Sequence, residues 1–197
     1  MESAERLDAG RTCLLLFDFL VGHVRKDAAT RERYVPVVAN AAKLLALARA
    51  GGAMVAYARA DHRADRATHA PILTDSESRP PLITGGTPEA EIIPELAPRH
   101  GEYLVPKHRW SAFHGTYLDI ALRTRGADTL VLCGGTTEIG IASTAYAARD
   151  LGYHLVIAAD ACTSPKRDVH EQLMREVFPR LARVRTTGQV LEMLQRV

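Results

Sequence analysis

The sequence is short of lysine and cysteine and lacks any long apolar run. Only four of its 25 basic residues are lysines, and there are three cysteines. The longest apolar run, around residues 13–21, already contains Asp18 and falls short of the roughly 18 residues that a membrane helix needs. The first ten residues are polar and acidic, which does not fit a signal peptide. We therefore expect a cytoplasmic protein that does not contact a membrane.

The few cysteines and the balanced charge exclude further classes of protein. Cys13, Cys133 and Cys162 lie in apolar surroundings without metal-type spacing, which predicts buried thiols. The net charge is +2 and the basic residues are scattered, whereas a nucleic-acid-binding protein concentrates its charge, so we expect no nucleic-acid partner. At 197 residues, 47% of them hydrophobic, the chain fits one globular domain over residues 1–197.

Short apolar runs alternate with helical patterns along the chain, which predicts an α/β fold with a parallel sheet covered by helices on both faces. The predicted strands are 12–18, 53–58, 103–106, 129–133, 155–159 and 183–185. The predicted helices are 34–50, 116–125, 138–151, 166–178 and 187–196. The one long irregular stretch, residues 59–86, carries Pro71, Pro80 and Pro81 and is more typical of a pocket cover or a partner contact than of a linker.

Polar and glycine-rich segments follow three of the predicted strands. Asp18 ends the first, Lys107 follows the third, and residues 134–140 form a Gly-rich turn after the fourth. Each has an ordinary explanation when taken alone: a turn cap, a surface charge or a tight backbone turn. Because the carboxyl ends of parallel strands meet at one edge of a sheet, together they predict an acid–base pair beside a helix N-terminus.

Two other groups of residues leave alternatives open. Asp61, His62, Asp65 and His69 have the chemistry of metal ligands, but nearby arginines would repel a cation, so we expect no metal and no other cofactor. The aromatic side chains that follow Lys107 belong either to the core or to a pocket wall. The residues predicted to contact a small-molecule substrate are Trp110, Phe113, Thr136, Thr137 and Gly140.

Asp18, the stretch 105–116 and the turn 134–144 together resemble the isochorismatase-like hydrolase superfamily. The resemblance covers nearly the whole chain after residue 10 and continues through residues 145–163. It implies a three-layer α/β/α fold with a six-stranded parallel sheet. It also implies a homodimer or a higher homo-oligomer.

Most members of that superfamily are cysteine hydrolases of amides with an Asp–Lys–Cys triad. The resemblance places Asp18 at the acid, Lys107 at the lysine and Gly140 at the nucleophile, so the cysteine is absent. Isochorismatase proper is similar in having glycine there, and it cleaves a vinyl ether without a covalent intermediate. By this likeness Asp18 would act as general acid, Lys107 would contact the substrate carboxylate, and Gly140 would leave room for substrate.

Three functions are compatible with these residues. The first is a hydrolase that uses Asp18 and Lys107 on a small carboxylated substrate, either a vinyl ether or a compound with a related C–O or C–N bond. The second is a catalytically inactive relative of the cysteine amidohydrolases that binds a ligand in the same cleft. The third is a protein whose fold serves assembly only. Retention of both charged residues favours the first, and a polar cleft edge disfavours the third.

Overall fold

The fold is a parallel β-sheet between two layers of helices, seen in a computed structural model that describes residues 6–70, 73–76 and 82–195. The strands are β1 (Thr12–Phe17), β2 (Met54–Ala60), β3 (Tyr103–Lys107), β4 (Thr129–Gly135), β5 (His154–Thr163) and β6 (Arg183–Arg185). The helices are α1 (Val21–Val24), α2 (Ala28–Gly51), α3 (Leu118–Thr124), α4 (Ala142–Asp150), α5 (Arg167–Gln172) and α6 (Thr187–Leu194). All strand pairs are parallel, in the order β3-β2-β1-β4-β5-β6, which confirms the three-layer fold with six strands.

Strand β1 is buried on both faces and divides the hydrophobic core into two layers. Cys13, Leu15 and Phe17 pack with α3 and α4 on one face. Leu14 and Leu16 pack with α2 and α6 on the other face. This alternation follows from the two-residue period of a strand, and it explains why β1 is a continuous apolar run. The chain direction of the crossovers reverses between β1 and β4, where ligands bind in open parallel sheets.

The predicted elements are present, with shifts at their ends. Helix α2 begins at Ala28 rather than at residue 34, because Asp27 caps it by accepting a hydrogen bond from the Thr30 N–H at 2.7 Å. It ends as predicted, with Gly52 in the left-handed conformation at φ 74°. Although α2 has 24 residues, no helix in the described part of the chain is long and apolar enough to cross a membrane.

The stretch predicted to be irregular begins inside β2, since that strand continues to Ala60. Beyond it the described residues form turns, and His62 makes a single parallel bridge with Thr84. Ile83, the residue before Thr84, is buried in a small cluster with Leu20 and Ala60. Pro71, Pro80 and Pro81 lie outside the described residues. The described parts of this stretch therefore return to the sheet beside the carboxyl ends of β1 and β2.

Candidate active site

Asp18 directly follows β1 and turns its carboxylate toward β2. Its φ of 53° lies in the left-handed region, which aspartate tolerates better than most residues. Its N–H donates to the Ala58 carbonyl at 2.9 Å, and its Oδ1 accepts from the Ala60 N–H, also at 2.9 Å. Two backbone hydrogen bonds to β2 therefore hold Asp18, one at its own backbone and one at its carboxylate.

Lys107 ends β3 and completes a buried ion pair with Asp18. Its Nζ lies 2.8 Å from Asp18 Oδ2, which confirms the predicted approach within hydrogen-bonding distance. The side chains of Lys107 and Asp18 are only 6% and 9% exposed. His23 Nδ1 lies 3.9 Å from the same carboxylate oxygen. Because little water screens these charges, each acts strongly on anything bound beside it.

The Phe17 ring occupies the space beside Gly140. A Cβ atom built on Gly140 would lie 2.1 Å from Phe17 Cε1 and 2.7 Å from Phe17 Cζ, far inside van der Waals contact. The expectation that Gly140 leaves room for substrate is therefore wrong, because a protein side chain already fills that room. The Phe17 ring also contacts a charged group, since Lys107 Nζ lies 4.5 Å from the centroid of the ring.

The Gly-rich turn between β4 and α4 is held in place by its own backbone and by α5. Its helical part begins with a π-type turn, Thr137–Ile141, rather than with α-helix. The Thr136 carbonyl accepts hydrogen bonds from the N–H groups of Ile139 and Ile141 at 3.3 and 3.2 Å. Thr137 is completely buried, and its hydroxyl lies 2.8 Å from His170 Nδ1. The Thr137 side chain thus anchors the turn to α5 and has no surface on which to meet a substrate.

The two aromatic residues predicted to contact the substrate have different surroundings. Phe113 is only 9% exposed and stacks on Tyr153, with ring centroids 5.6 Å apart, as part of the core beside α3 and α4. The core alternative is therefore the one that applies to Phe113. Trp110 is 60% exposed and remains free to contact a ligand, as does the partly exposed Thr136.

A basic cavity is lined in part by His108 and Arg109, which follow Lys107 directly in sequence, whereas Asp18 and Lys107 are not among its lining residues. Its volume is about 290 Å³, and its described lining residues are Ala67, Thr68, His108, Arg109, His114 and Gly115. The His62 ring lies 5.8 Å from the His108 ring and 6.0 Å from the His69 ring, measured between centroids. Burial lowers the pKa of His62, and the neighbouring His108, His69 and Lys107 lower it further. The described lining contains no acidic residue, so the cavity suits an anion.

The residues considered as metal ligands are engaged with other partners. Asp61 pairs with Arg59 at 3.1 Å, and Asp65 pairs with Arg63 at 2.5 Å. Among the residues that the structure describes, no group of three or more His, Cys, Asp or Glu side chains is arranged to hold a metal ion. Nothing in their geometry supports the metal alternative.

None of the three cysteines has the accessible thiol that a nucleophile needs. Cys13, Cys133 and Cys162 are all buried in the sheet. Cys133 Sγ lies 3.9 Å from the Leu15 carbonyl, inside the layer of strands. Burial raises the pKa of Cys133 well above its usual value and that of Cys162 to about 12. None of the three thiols can act at the Gly140 turn.

Sequence reasoning missed three groups at this site. The apolar pattern predicts only that Phe17 belongs to the strand, although its position directly before Asp18 indicates that it lies at the same end of the strand. The Ala60 N–H could not be found, because a backbone donor leaves no residue-type signal. His23 lies in α1, which was not predicted, and its approach to Asp18 depends on that helix.

Comparisons with known proteins find similar proteins that align with nearly the full length of this chain. A model of the isochorismatase domain matches residues 12–189. The chain is 35% identical over 200 residues to an uncharacterized isochorismatase family protein, YwoC of Bacillus subtilis, covering 99% of this chain and 100% of that one. It is 29% identical to a maleamate amidohydrolase of Pseudomonas putida, covering 97% and 91%. The structure of an isochorismatase family protein from Burkholderia thailandensis matches with a TM-score of 0.85 at 30% identity, covering 97% and 98%.

Proposed function

The chain belongs to the isochorismatase family of hydrolases, and from that premise we propose that it cleaves a small carboxylated substrate by acid–base catalysis without a cysteine nucleophile. The observation that carries the proposal is the buried contact of 2.8 Å between Asp18 and Lys107. An isolated buried charge pair adds little to stability, so a polar pair in this place is better explained by function. Gly140 supplies no side chain for covalent catalysis.

Asp18 acts as general acid and base in the proposed reaction on a vinyl ether. The proton of the hydrogen bond between Lys107 and Asp18 first passes to the carboxylate, and Asp18 then donates it to the terminal vinyl carbon, which leaves an oxocarbenium ion on the substrate. Water adds to this cation and returns a proton to Asp18. The resulting hemiketal breaks its C–O bond as the proton of its hydroxyl passes to the departing oxygen. The products are an alcohol and a 2-keto acid, and no bond to the protein forms.

Lys107 and the basic cavity select a substrate that carries a carboxylate. The Lys107 ammonium has three N–H donors, of which one reaches Asp18. The others are available to a substrate carboxylate beside the pair. His108 and Arg109, the two residues after Lys107 in sequence, line the basic cavity, and this cavity offers a basic surface to a second acidic group of the substrate. One relative is named maleamate amidohydrolase, and maleamate is a small carboxylate, which supports this substrate class.

A second candidate function is ligand binding without turnover. It is favoured by the burial of the Asp18–Lys107 pair and by the Phe17 ring, which fills the nucleophile position. In that case the cavity would hold a small carboxylate that is released unchanged. The two candidates differ in one measurable way, because only the first consumes its ligand.

The first prediction tests this proposal with isochorismate and a panel of small amides that includes maleamate. We expect the parent protein to cleave isochorismate, and Asp18→Asn to lower turnover about 100-fold or more, the usual scale for removing a general acid. Asp128→Asn is the matched control, since Asp128 accepts hydrogen bonds from Arg11 at the opposite edge of the sheet. It should leave turnover within about twofold of the parent.

Two outcomes would contradict the proposed function. Hydrolysis of amides without cleavage of isochorismate would show that another group supplies the nucleophile. Binding of isochorismate, measured by calorimetry, with no turnover in the parent would establish the second candidate.

A further inference from the structure

We propose that Phe17 is a positioning residue that takes the place of the missing nucleophile and fixes Lys107 against Asp18. Phe17 is the last residue of β1 and is 1% exposed. Atoms Cδ1, Cε1 and Cζ of its ring lie next to Gly140, and the Lys107 ammonium lies over the ring. The importance of the Asp18–Lys107 pair for catalysis rests on the proposed function. The role of Phe17 is tested by urea unfolding and nuclear magnetic resonance, neither of which depends on turnover.

The Phe17 ring fits into the space that a side chain on Gly140 would occupy. The three heavy atoms nearest to a Cβ on Gly140 all belong to the Phe17 ring, at 2.1, 2.7 and 3.0 Å. The ring and any side chain at position 140 therefore compete for one volume. The chain resolves this competition with a phenylalanine on the strand and a glycine on the turn.

The Phe17 ring also contacts the ammonium group of Lys107. Lys107 Nζ lies 4.5 Å from the ring centroid, within the range of a cation–π interaction, and the site is largely desolvated. A lysine stem has four rotatable bonds, so a charge on it needs more than one contact to be fixed. The carboxylate of Asp18 supplies one contact and the ring face supplies the other. Aliphatic packing alone would fill the same space but would not attract the charge.

The backbones of β2 and β4 hold the end of β1 that carries the Phe17 ring. Phe17 pairs with Ala58 of β2 and with Gly134 of β4. A Cβ on Gly134 would lie 2.1 Å from the Phe17 carbonyl oxygen, and φ of Gly134 is 129°. Only glycine allows β4 to pass so close to Phe17 at this point. The strand that carries the ring is thus held on both sides at the level of the site.

A double-mutant cycle tests the competition for space. Gly140→Ala should lower the urea midpoint in the parent, because its Cβ meets the ring. In a Phe17→Ala background the same change should raise the midpoint, since alanine is favoured over glycine in a helical turn once the space is free. Phe17→Leu serves as a second, less disruptive background, and there the loss should shrink. An equal loss in all three backgrounds would overturn the proposal.

Nuclear magnetic resonance tests the contact between ring and ammonium. With lysine labelled at Cε, the chain gives four signals, and the other three lysines are exposed. We expect the Lys107 signal, identified by its loss in Lys107→Met, to lie upfield of the rest because of the ring current of Phe17. It should return toward the others in Phe17→Leu, while the remaining signals stay unchanged. A Lys107 signal among the others in the parent would refute the positioning role.

Discussion

Asp18 shows how one backbone rotation determines the chemistry of a site. Residues of β1 alternate between the two core layers, and a continued strand would bury Asp18 in one of them. The φ of 53° breaks the strand at that residue and turns the carboxylate to the Ala60 N–H and the Lys107 ammonium. A left-handed conformation costs about 1–2 kcal/mol in a non-glycine residue, and the hydrogen bonds at both ends of Asp18 offset that cost.

The second prediction concerns the three thiols. Because all of them are buried, and because burial raises the pKa of Cys133 and Cys162, we expect none to react with Ellman's reagent in the folded protein. All three should react once the protein is unfolded in guanidinium chloride. Iodoacetamide should leave any hydrolytic activity intact for the same reason. Rapid stoichiometric inactivation of the folded protein would mean that a cysteine takes part in the reaction.

At the scale of elements, the sequence predicts the buried parts of the fold better than its polar ends. Strand β6 occurs at the predicted residues 183–185, and β1 differs only by the turn at Asp18. The apolar pattern predicts a start for helix α2 that is six residues too late, because the first turns of the helix carry exposed charged residues and have no apolar period of their own. An N-cap such as Asp27 is visible in sequence, but many aspartates outside helices look the same.

The candidate site was predictable to the extent that it depends on strand ends. Asp18 and Lys107 meet because β1, β2 and β3 are neighbours and parallel. The alternating pattern predicts the parallel sheet and its shared edge of strand ends, but it does not predict the order of the strands. The position of the Phe17 ring depends on which atoms face each other across the β1–β4 crevice, and residue types alone do not determine that. The same holds for Thr137, whose partner His170 is far away in sequence.

The third prediction concerns the contact between the Gly-rich turn and α5. Burial lowers the pKa of His170 below its ordinary 6.5, so the unfolded chain takes up a proton at a higher pH than the folded chain. His170 therefore contributes stability above pH 6.5 that is lost as the pH falls below it. We expect His170→Gln to flatten this dependence below pH 6.5, measured by urea unfolding between pH 5 and 8.

His100→Gln is the control for this measurement, because His100 lies on an exposed turn before β3. Its unfolding curve should follow the pH dependence of the parent. An unchanged slope in His170→Gln would show that the imidazole does not titrate with folding.

At the scale of the whole molecule, one arginine connects the end of α2 to the outer edge of the sheet. Arg49 donates to Glu102 through Nε at 2.7 Å and through Nη2 at 2.9 Å. Nη2 also reaches the Tyr57 hydroxyl at 3.2 Å and the Ala97 carbonyl at 2.9 Å. Burial alone would raise the pKa of Glu102, but Arg49 and the Arg99 N–H lower it overall. This network ties α2, β2 and the turn before β3 together.

The fourth prediction tests that network. Arg49→Met should lower the free energy of unfolding by about 2–3 kcal/mol, because it leaves a largely buried carboxylate without its cation. Arg63→Met is the matched control, since the Arg63–Asp65 pair is more than half exposed at both residues and its loss should destabilise the protein far less than Arg49→Met does. Urea unfolding of both variants at pH 7 gives the comparison. Equal losses would show that the network adds nothing beyond a surface ion pair.

The fit between Phe17 and Gly140 also constrains the order in which this protein could change over generations. A cysteine that arises at position 140 meets the Phe17 ring at once, so that single step damages the protein before any new chemistry can be selected. The strand residue must become smaller first, and that step loosens Lys107 while offering no compensating activity. Substitutions at positions 17 and 140 are therefore coupled, and each is harmful when it occurs alone. On the proposed assignment of position 140 to the nucleophile, a descendant of this chain reaches covalent catalysis only through a variant that is less stable than the parent and has no new activity.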